Sequence, residues 1–325
     1  MPVEKANPAS RGFGRRRRWL LASLSGIAIA IAGAEFGARF GLGLGDPPLS
    51  DAYPDLEYAF RPGTYRRFGN VVHINAHHMR SPDFPARKAR ADEMRVMLMG
   101  DSVINGGALT DQSALASEAL GSRLAATLDR PVVVGNISAG SWGPGNLLAY
   151  ARRFGFFEAD VVVIVVNSED AFDNPTGRQV VGVDPSFPDR RPWSALGEAF
   201  SRYVTPRMHR AWPQKNPPAG ATHGDADVTQ GMSDLAALCE LAESAGARVL
   251  LAHFPNRDEL DGASLPGHEA IVALAETKGI PFVELTKAMR LARDTVRDPY
   301  RPHDSIHPNE LGQKVIADVL APAIA

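Results

Sequence analysis

Only one cysteine stands among the 325 residues. A lone Cys239 excludes any intrachain disulfide, so the fold is held by packing alone, and the residue says nothing about compartment. Leu235, Leu238 and Leu241 surround it at helical spacing, which predicts a small core residue on a helix and not a reactive thiol. An excess of one charge is lacking too: 35 Lys and Arg stand against 37 Asp and Glu, a net of −2, so no global basicity argues for a nucleic-acid partner. Internal repeats are absent. Gly143-Pro144-Gly145 reads as a turn, because its glycines do not follow a phosphate-loop spacing. Long apolar runs are missing except at the N-terminus. The 44% hydrophobic and 22% charged residues are an ordinary globular balance, and the length suits one α/β domain with an insertion.

The one long apolar run follows a polar tail, residues 1–18, that ends in Arg15-Arg16-Arg17-Arg18. Trp19 to Ala34 carries no charge; Glu35 and Arg39 follow, four residues apart, in a stretch that stays apolar to about residue 45. At about 1.5 Å per residue the uncharged part falls slightly short of a ~30 Å hydrocarbon core, a gap that tilt or snorkelling by Arg39 closes. Two readings stand: an uncleaved signal anchor over 19–45, or a signal peptide cut at Ala32-Gly33-Ala34. Under either, the arginines hold the N-terminus in the cytoplasm and place residues from about 46 onward outside. The anchor is favoured, because the chain stays apolar past the cut site, and it makes a single-pass protein of a bacterial inner membrane with its main domain on the periplasmic side.

Residues 46–93, broken by Pro47, Pro48, Pro54, Pro62, Pro82 and Pro85, read as an irregular lead-in. From Met94 strands and helices alternate. Strands are expected at 95–99, 131–134, 161–166, 248–252 and 282–285, and helices at 113–128, 146–154, 231–244, 265–277 and after Pro308. Val161 to Val166 is six β-branched residues in succession, the strongest strand signal in the chain. Residues 173–229 hold eight prolines and read as an insertion, a lid or a substrate-binding flank. The alternation predicts a three-layer α/β/α sandwich on a central parallel sheet over 94–325.

Ligands of such sheets bind at the carboxyl ends of the strands. Those ends carry Gly100-Asp101-Ser102, then Gly135 to Gly140, then Asn167-Ser168-Glu169-Asp170, then His253 to Arg257; His303-Asp304-Ser305-Ile306-His307 precedes the last helix. A serine on a Gly-led turn offers its hydroxyl and its own amide to one pocket. It needs a base, which His307 supplies, and Asp304 three residues earlier fixes the imidazole tautomer. Asp101, Asp170 and His253 are candidates to touch substrate. Pro308 at the first position of a helix would direct His307.

These blocks resemble the SGNH (GDSL-type) esterases, a resemblance that runs from about Met94 to the C-terminus. Val96 to Ser102 is similar to the block that supplies the nucleophile and one oxyanion amide. Asn136-Ile137-Ser138-Ala139-Gly140 is similar to the second block, whose glycine amide is another donor. Asp304-Ser305-Ile306-His307-Pro308 is similar to the last, with the acid and the base. The third block departs from Gly-x-Asn-Asp: with Asp170 in the aspartate place, Glu169 takes the asparagine place, and an ionised carboxylate cannot donate. Asn167 is the substitute donor; losing one donor typically costs about 10²–10³ in rate. Such departures occur in envelope branches that move or remove acetyl groups on polysaccharides, and His73 to Arg80 resembles a lead-in of membrane-anchored members.

The resemblance implies a flavodoxin-like fold and serine ester hydrolysis or acyl transfer, with no cofactor and no metal. The substrate would be an acylated small molecule or polysaccharide. An O-acetyltransferase with the same chemistry and a degenerate glycan-binding domain are the competing readings. His77-His78 are expected to pack, because adjacent histidines point apart. His303 and Arg257 are rim or loop residues, and Trp142, Trp193 and Trp212 are sugar-stacking or core candidates.

Overall fold

The structure, a computed structural model, describes residues 9–205 and 225–325. Helix α1 (Ala9–Phe36) continues through a π-helical turn, Gly37–Gly41. The apolar part spans Arg17–Gly41, 25 residues, and stands free of the protein except at its end, where Ala38 is buried. At about 1.5 Å per residue it is long enough for a hydrocarbon core, so the shortfall expected from the uncharged residues alone disappears. Glu35 and Arg39 lie inside it, paired at 2.8 Å. A membrane span and a signal sequence share these properties.

The lead-in is not irregular. It forms two antiparallel hairpins, β1 (Ser50–Tyr53) with β2 (Glu57–Phe60) and β3 (Gly63–Arg67) with β4 (Asn70–Ile74). Pro54 and Pro62 fall at the turns between strands, where a missing N–H costs no ladder bond. The prolines therefore punctuate short strands instead of excluding them.

Five parallel strands make the main sheet: β5 (Met94–Gly100), β6 (Val132–Ser138), β7 (Val161–Val166), β8 (Arg248–His253) and β9 (Phe282–Glu284). They lie side by side as β6-β5-β7-β8-β9. Every residue of β5 and β7 is buried, as expected of parallel strands covered on both faces. Alternate side chains feed two cores. Met97, Met99, Val162 and Ile164 pack with α4 (Pro144–Phe154), α6 (Asp225–Ser244), α7 (Pro266–Lys278) and Leu56 and Tyr58 of the first hairpin. Val96, Leu98, Val163 and Val165 pack with α3 (Ala116–Leu128), α8 (Thr286–Thr295) and α9 (Glu310–Ile324). This is the expected three-layer sandwich. Cys239 is buried on α6, where burial raises its thiol to about 12.

Three local expectations change. Strand β6 runs on to Ser138, so Asn136 is a buried strand residue and not part of a turn; pairing of Asn136 with Leu98 overrides its poor strand propensity. Helix α8 was not anticipated, because its charged sequence hides the two buried apolar residues, Met289 and Ala292. Pro308 is not the first helical residue: Asn309 caps α9, its Oδ1 accepting from the Leu311 and Gly312 amides.

One part of the insertion is a buttress for α1, while Val180, Val181 and Phe187 pack into the main core, Phe187 against Tyr58. Short helix α5 (Ala195–Ala199) packs with Ala38 and Leu44 beside the end of α1, and Glu198 forms a buried ion pair with Arg67 at 2.6 Å. Trp212 lies outside the described residues, Trp142 is core, and Trp193 is 93% exposed.

Candidate active site

The strand order reverses direction at β5: the chain leaves it to one side for β6 and returns past it for β7. Crevices form at such switch points, and Ser102, Gly140 and Asn167 follow β5, β6 and β7. Gly100 is required there, because a Cβ would come within 2.9 Å of both Ile104 Cγ1 and Val165 O. Ser102 opens a four-residue helix, α2 (Ser102–Asn105), capped by Asp101, whose Oδ1 accepts from the Val103 amide at 2.8 Å.

Ser102 Oγ lies 3.0 Å from His307 Nε2, and His307 Nδ1 lies 2.8 Å from Asp304 Oδ2. The other oxygen of Asp304 accepts from the amides of Ile306 and His307 at 3.0 and 2.9 Å. Burial pushes this carboxyl up, but those amides and the imidazole outweigh it and hold Asp304 below its ordinary value. An ionised Asp304 accepts only, so Nδ1 carries the proton and Nε2 is left to take one from Ser102. Ser102, His307 and Asp304 thus form one hydrogen-bonded relay, in the order a nucleophile, a base and an acid would take.

Asn167 donates through Nδ2 to Asp101 Oδ2 at 3.1 Å, and Ser102 Oγ lies 3.3 Å from the same oxygen. The amide has two hydrogens, so one remains for an oxyanion. Glu169 is exposed, its Oε1 turned to Asn256 Nδ2 at 3.1 Å. Tyr58 Oη donates to the Gly140 carbonyl at 2.6 Å and so fixes the backbone around Gly140 from the first hairpin.

The residues expected to touch substrate are placed otherwise. Asp101 and Asp170 are buried and bond the loops that frame Ser102; Asp170 Oδ2 accepts from the Asn167 amide at 2.8 Å. Burial lifts the Asp101 carboxyl to about 6. Burial, and the facing Asp101, lift that of Asp170 as well. His253 is buried one strand further on, against Ser168 Oγ at 3.0 Å, and among the described residues it bonds to no member of the relay. His77 and His78 pack as expected, on the carbonyls of Phe84 and Phe60. His303 is exposed beside Asp304 with φ 59°, a left-handed turn residue at the rim.

Sequence reasoning missed two supports. Arg257 donates to the Asp304 carbonyl from Nε and Nη2 at 3.1 and 3.0 Å, and its amide bonds the Ser305 carbonyl at 2.7 Å. Arg80 is fully buried and gives its guanidinium to the carbonyls of Asn105, Gly107 and Thr110, behind α2. Burial lowers it to about 9, with Arg301 adding to the effect. The His73-to-Arg80 resemblance is its only signal; long-range carbonyl contacts leave none in sequence.

The chain matches the sequence model of the GDSL-like Lipase/Acylhydrolase family over residues 98–315. No curated protein matches it. Among solved structures it is similar to LAE5, an alpha/beta hydrolase enzyme from the metagenome of Lake Arreo, Spain, at 16% identity and a TM-score of 0.47, covering 71% of this chain and 94% of that one. It is also similar to the acetyl xylan esterase AlAXEase, at 16% identity and a TM-score of 0.46, covering 71% and 100%. A two-domain esterase active on acetylated mannans shares 15% identity at a TM-score of 0.45, covering 71% of this chain and 49% of that one. The family match spans about two thirds of the chain: it belongs to the GDSL-like lipase/acylhydrolase (SGNH) family and is an ester-hydrolysing enzyme.

Proposed function

We propose that the chain is a membrane-anchored serine esterase that removes a short acyl group, acetyl in the first instance, from a carbohydrate or another ester of the cell envelope. The relay carries the reading: Ser102 to His307 at 3.0 Å and His307 to Asp304 at 2.8 Å. Ser102 Oγ attacks the ester carbonyl while His307 Nε2 takes its proton, and Asp304 steadies the imidazolium. The Ser102 and Gly140 amides and the second Asn167 N–H bind the oxyanion. The imidazolium protonates the leaving alcohol. Water, deprotonated by the same Nε2, then releases the acid and restores Ser102.

An open cavity of about 520 Å³ lies beside Asp304, lined by Leu109, Arg297, Arg301, Pro302, Asn309 and Glu310, and offers charged side chains next to the proposed site. The anchor reading, with 1–18 as cytoplasmic tail and the domain outside, draws on the arginine run and on the docked end of α1. There Glu35 accepts from Ser194 Oγ and from the Ala195 and Leu196 amides at 3.0, 2.7 and 2.9 Å.

The test is hydrolysis of aryl acetates and acetylated oligosaccharides by the full chain in detergent, with Ser102→Ala alongside. Turnover that disappears in the variant is expected. Equal turnover in both would remove Ser102 as the nucleophile, and folded protein with no hydrolysis but acetyl transfer to a sugar would make it an O-acetyltransferase.

A further inference from the structure

Beyond the relay, a second group of side chains closes at the β8–β9 edge of the sheet. His253 ends β8, Glu284 ends β9, and His268 stands in the first turn of α7. One nitrogen from each histidine and one Glu284 oxygen lie within 4.8 Å of one another. The two rings are tilted by 36° to each other with centroids 4.3 Å apart. Gly267 permits this closeness, because a Cβ there would fall 1.8 Å from the Ser168 carbonyl and push α7 away.

The protons around His253 can be assigned. Ser168 Oγ donates its one hydrogen to Glu259 Oε1 at 2.7 Å, since a carboxylate only accepts. Ser168 Oγ is therefore an acceptor toward His253 Nε2 at 3.0 Å, and Nε2 carries the imidazole N–H. In the neutral imidazole Nδ1 then keeps its lone pair. His253 is 1% exposed, and its Nδ1 makes no hydrogen bond. It faces Glu284 Oε2 at 3.4 Å, so a cation belongs between them, either a second proton on Nδ1 or a metal ion.

We propose that His253 Nδ1, His268 Nε2 and Glu284 bind a divalent transition-metal ion, zinc by the chemistry of the donors, with solvent in the fourth position. Two imidazoles and one carboxylate are a frequent zinc set. At metal–ligand distances of about 2.0–2.2 Å, neighbouring donors of a tetrahedron lie about 3.4 Å apart, which is the His253-to-Glu284 separation. His268 Nε2 is 2.6 Å from the other carboxylate oxygen, Oε1, so the His268 ring and the Glu284 carboxylate turn to set one oxygen at that spacing from both nitrogens. Its side chain and that of Glu284 are part exposed, so the ion has a way in. The Nε2–Ser168–Glu259 chain is the outer-shell support that orients a ligating imidazole. Because Ser168 follows Asn167, the ion would also brace the loop that borders Ser102.

The experiment is titration of the chelator-treated full chain in detergent with Co²⁺, followed by visible absorption, and with Zn²⁺, followed by calorimetry. One equivalent is expected, with intense tetrahedral Co²⁺ bands and a Tm that rises with Zn²⁺. His268→Ala lies at the surface and leaves the core intact; it should weaken binding by at least about 10-fold, and Ser168→Ala by about 10-fold. Wild-type protein that develops no tetrahedral Co²⁺ spectrum overturns the proposal. So does a His268→Ala variant that titrates like wild type.

Discussion

Exchanging Asp304 for Asn keeps the side-chain shape and turns one acceptor into a donor. The amide would face His307 Nδ1 at 2.8 Å and force its lone pair inward, placing the proton on Nε2, where it blocks Ser102. A fall in kcat of about 10⁴ is expected at near-constant Tm; steady-state kinetics on an aryl acetate showing less than a tenfold loss would remove Asp304 from the relay. Asp101 supplies a pH effect of determinate sign. Its carboxyl moves from 3.8 to about 6 on folding, so the folded state holds the proton more tightly and Asp101 costs stability as pH rises through that interval. Asp101→Asn should therefore gain Tm relative to wild type between pH 4 and pH 6, read by thermal melts across that range; a constant difference would refute it. At this scale the relay was legible because its parts are local: a Gly-led strand end and an Asp-x-x-His turn. Arg257 and Tyr58 were not, because each acts on a distant carbonyl, and any residue can offer one.

Among elements, the hairpins had the weakest sequence signal and have an unexpected reach into the site. Strands of four or five residues hold too few alternations to stand out, and prolines at their ends mimic loop composition. Yet this segment delivers Tyr58 to Gly140 and Arg80 to the carbonyls behind α2. Arg80→Met should cost on the order of 3–5 kcal/mol, because three buried carbonyls lose their donor together. Urea unfolding checks this, and a loss under about 1 kcal/mol would show that water replaces the guanidinium. A chain beginning at Met94 should for the same reason fail to reach a rigid fold, while one beginning at Asp46 keeps both contacts; near-ultraviolet circular dichroism separates the two. The strong strands were legible, since Val161–Val166 is buried on both faces and its sequence has to be apolar throughout.

For the whole molecule, the question is how α1 joins the domain. Glu35, which in sequence pairs only with Arg39 four residues on, accepts three bonds from residues 194–196 and adds to the cap that Ser194 gives α5. Glu35→Ala should quicken hydrogen exchange at the Ala195 and Leu196 amides about fivefold, for an N-cap worth about 1 kcal/mol; unchanged exchange would show the contact to be dispensable. The sequence contained both partners, 159 residues apart, and nothing local in either announced the other.

As the proposed membrane anchor, a helix clasped in this way would leave the domain no leash. A flexible stalk would let a catalytic head sweep a volume above the lipid; a clasped one would hold the mouth of the site at one altitude and one bearing. The enzyme would then work as a fixed station on a surface. Its customers would be esters that drift past at that height, and lengthening the joint between Gly41 and Ser50 by a few glycines would change which layer of the envelope it serves without altering an atom of its chemistry.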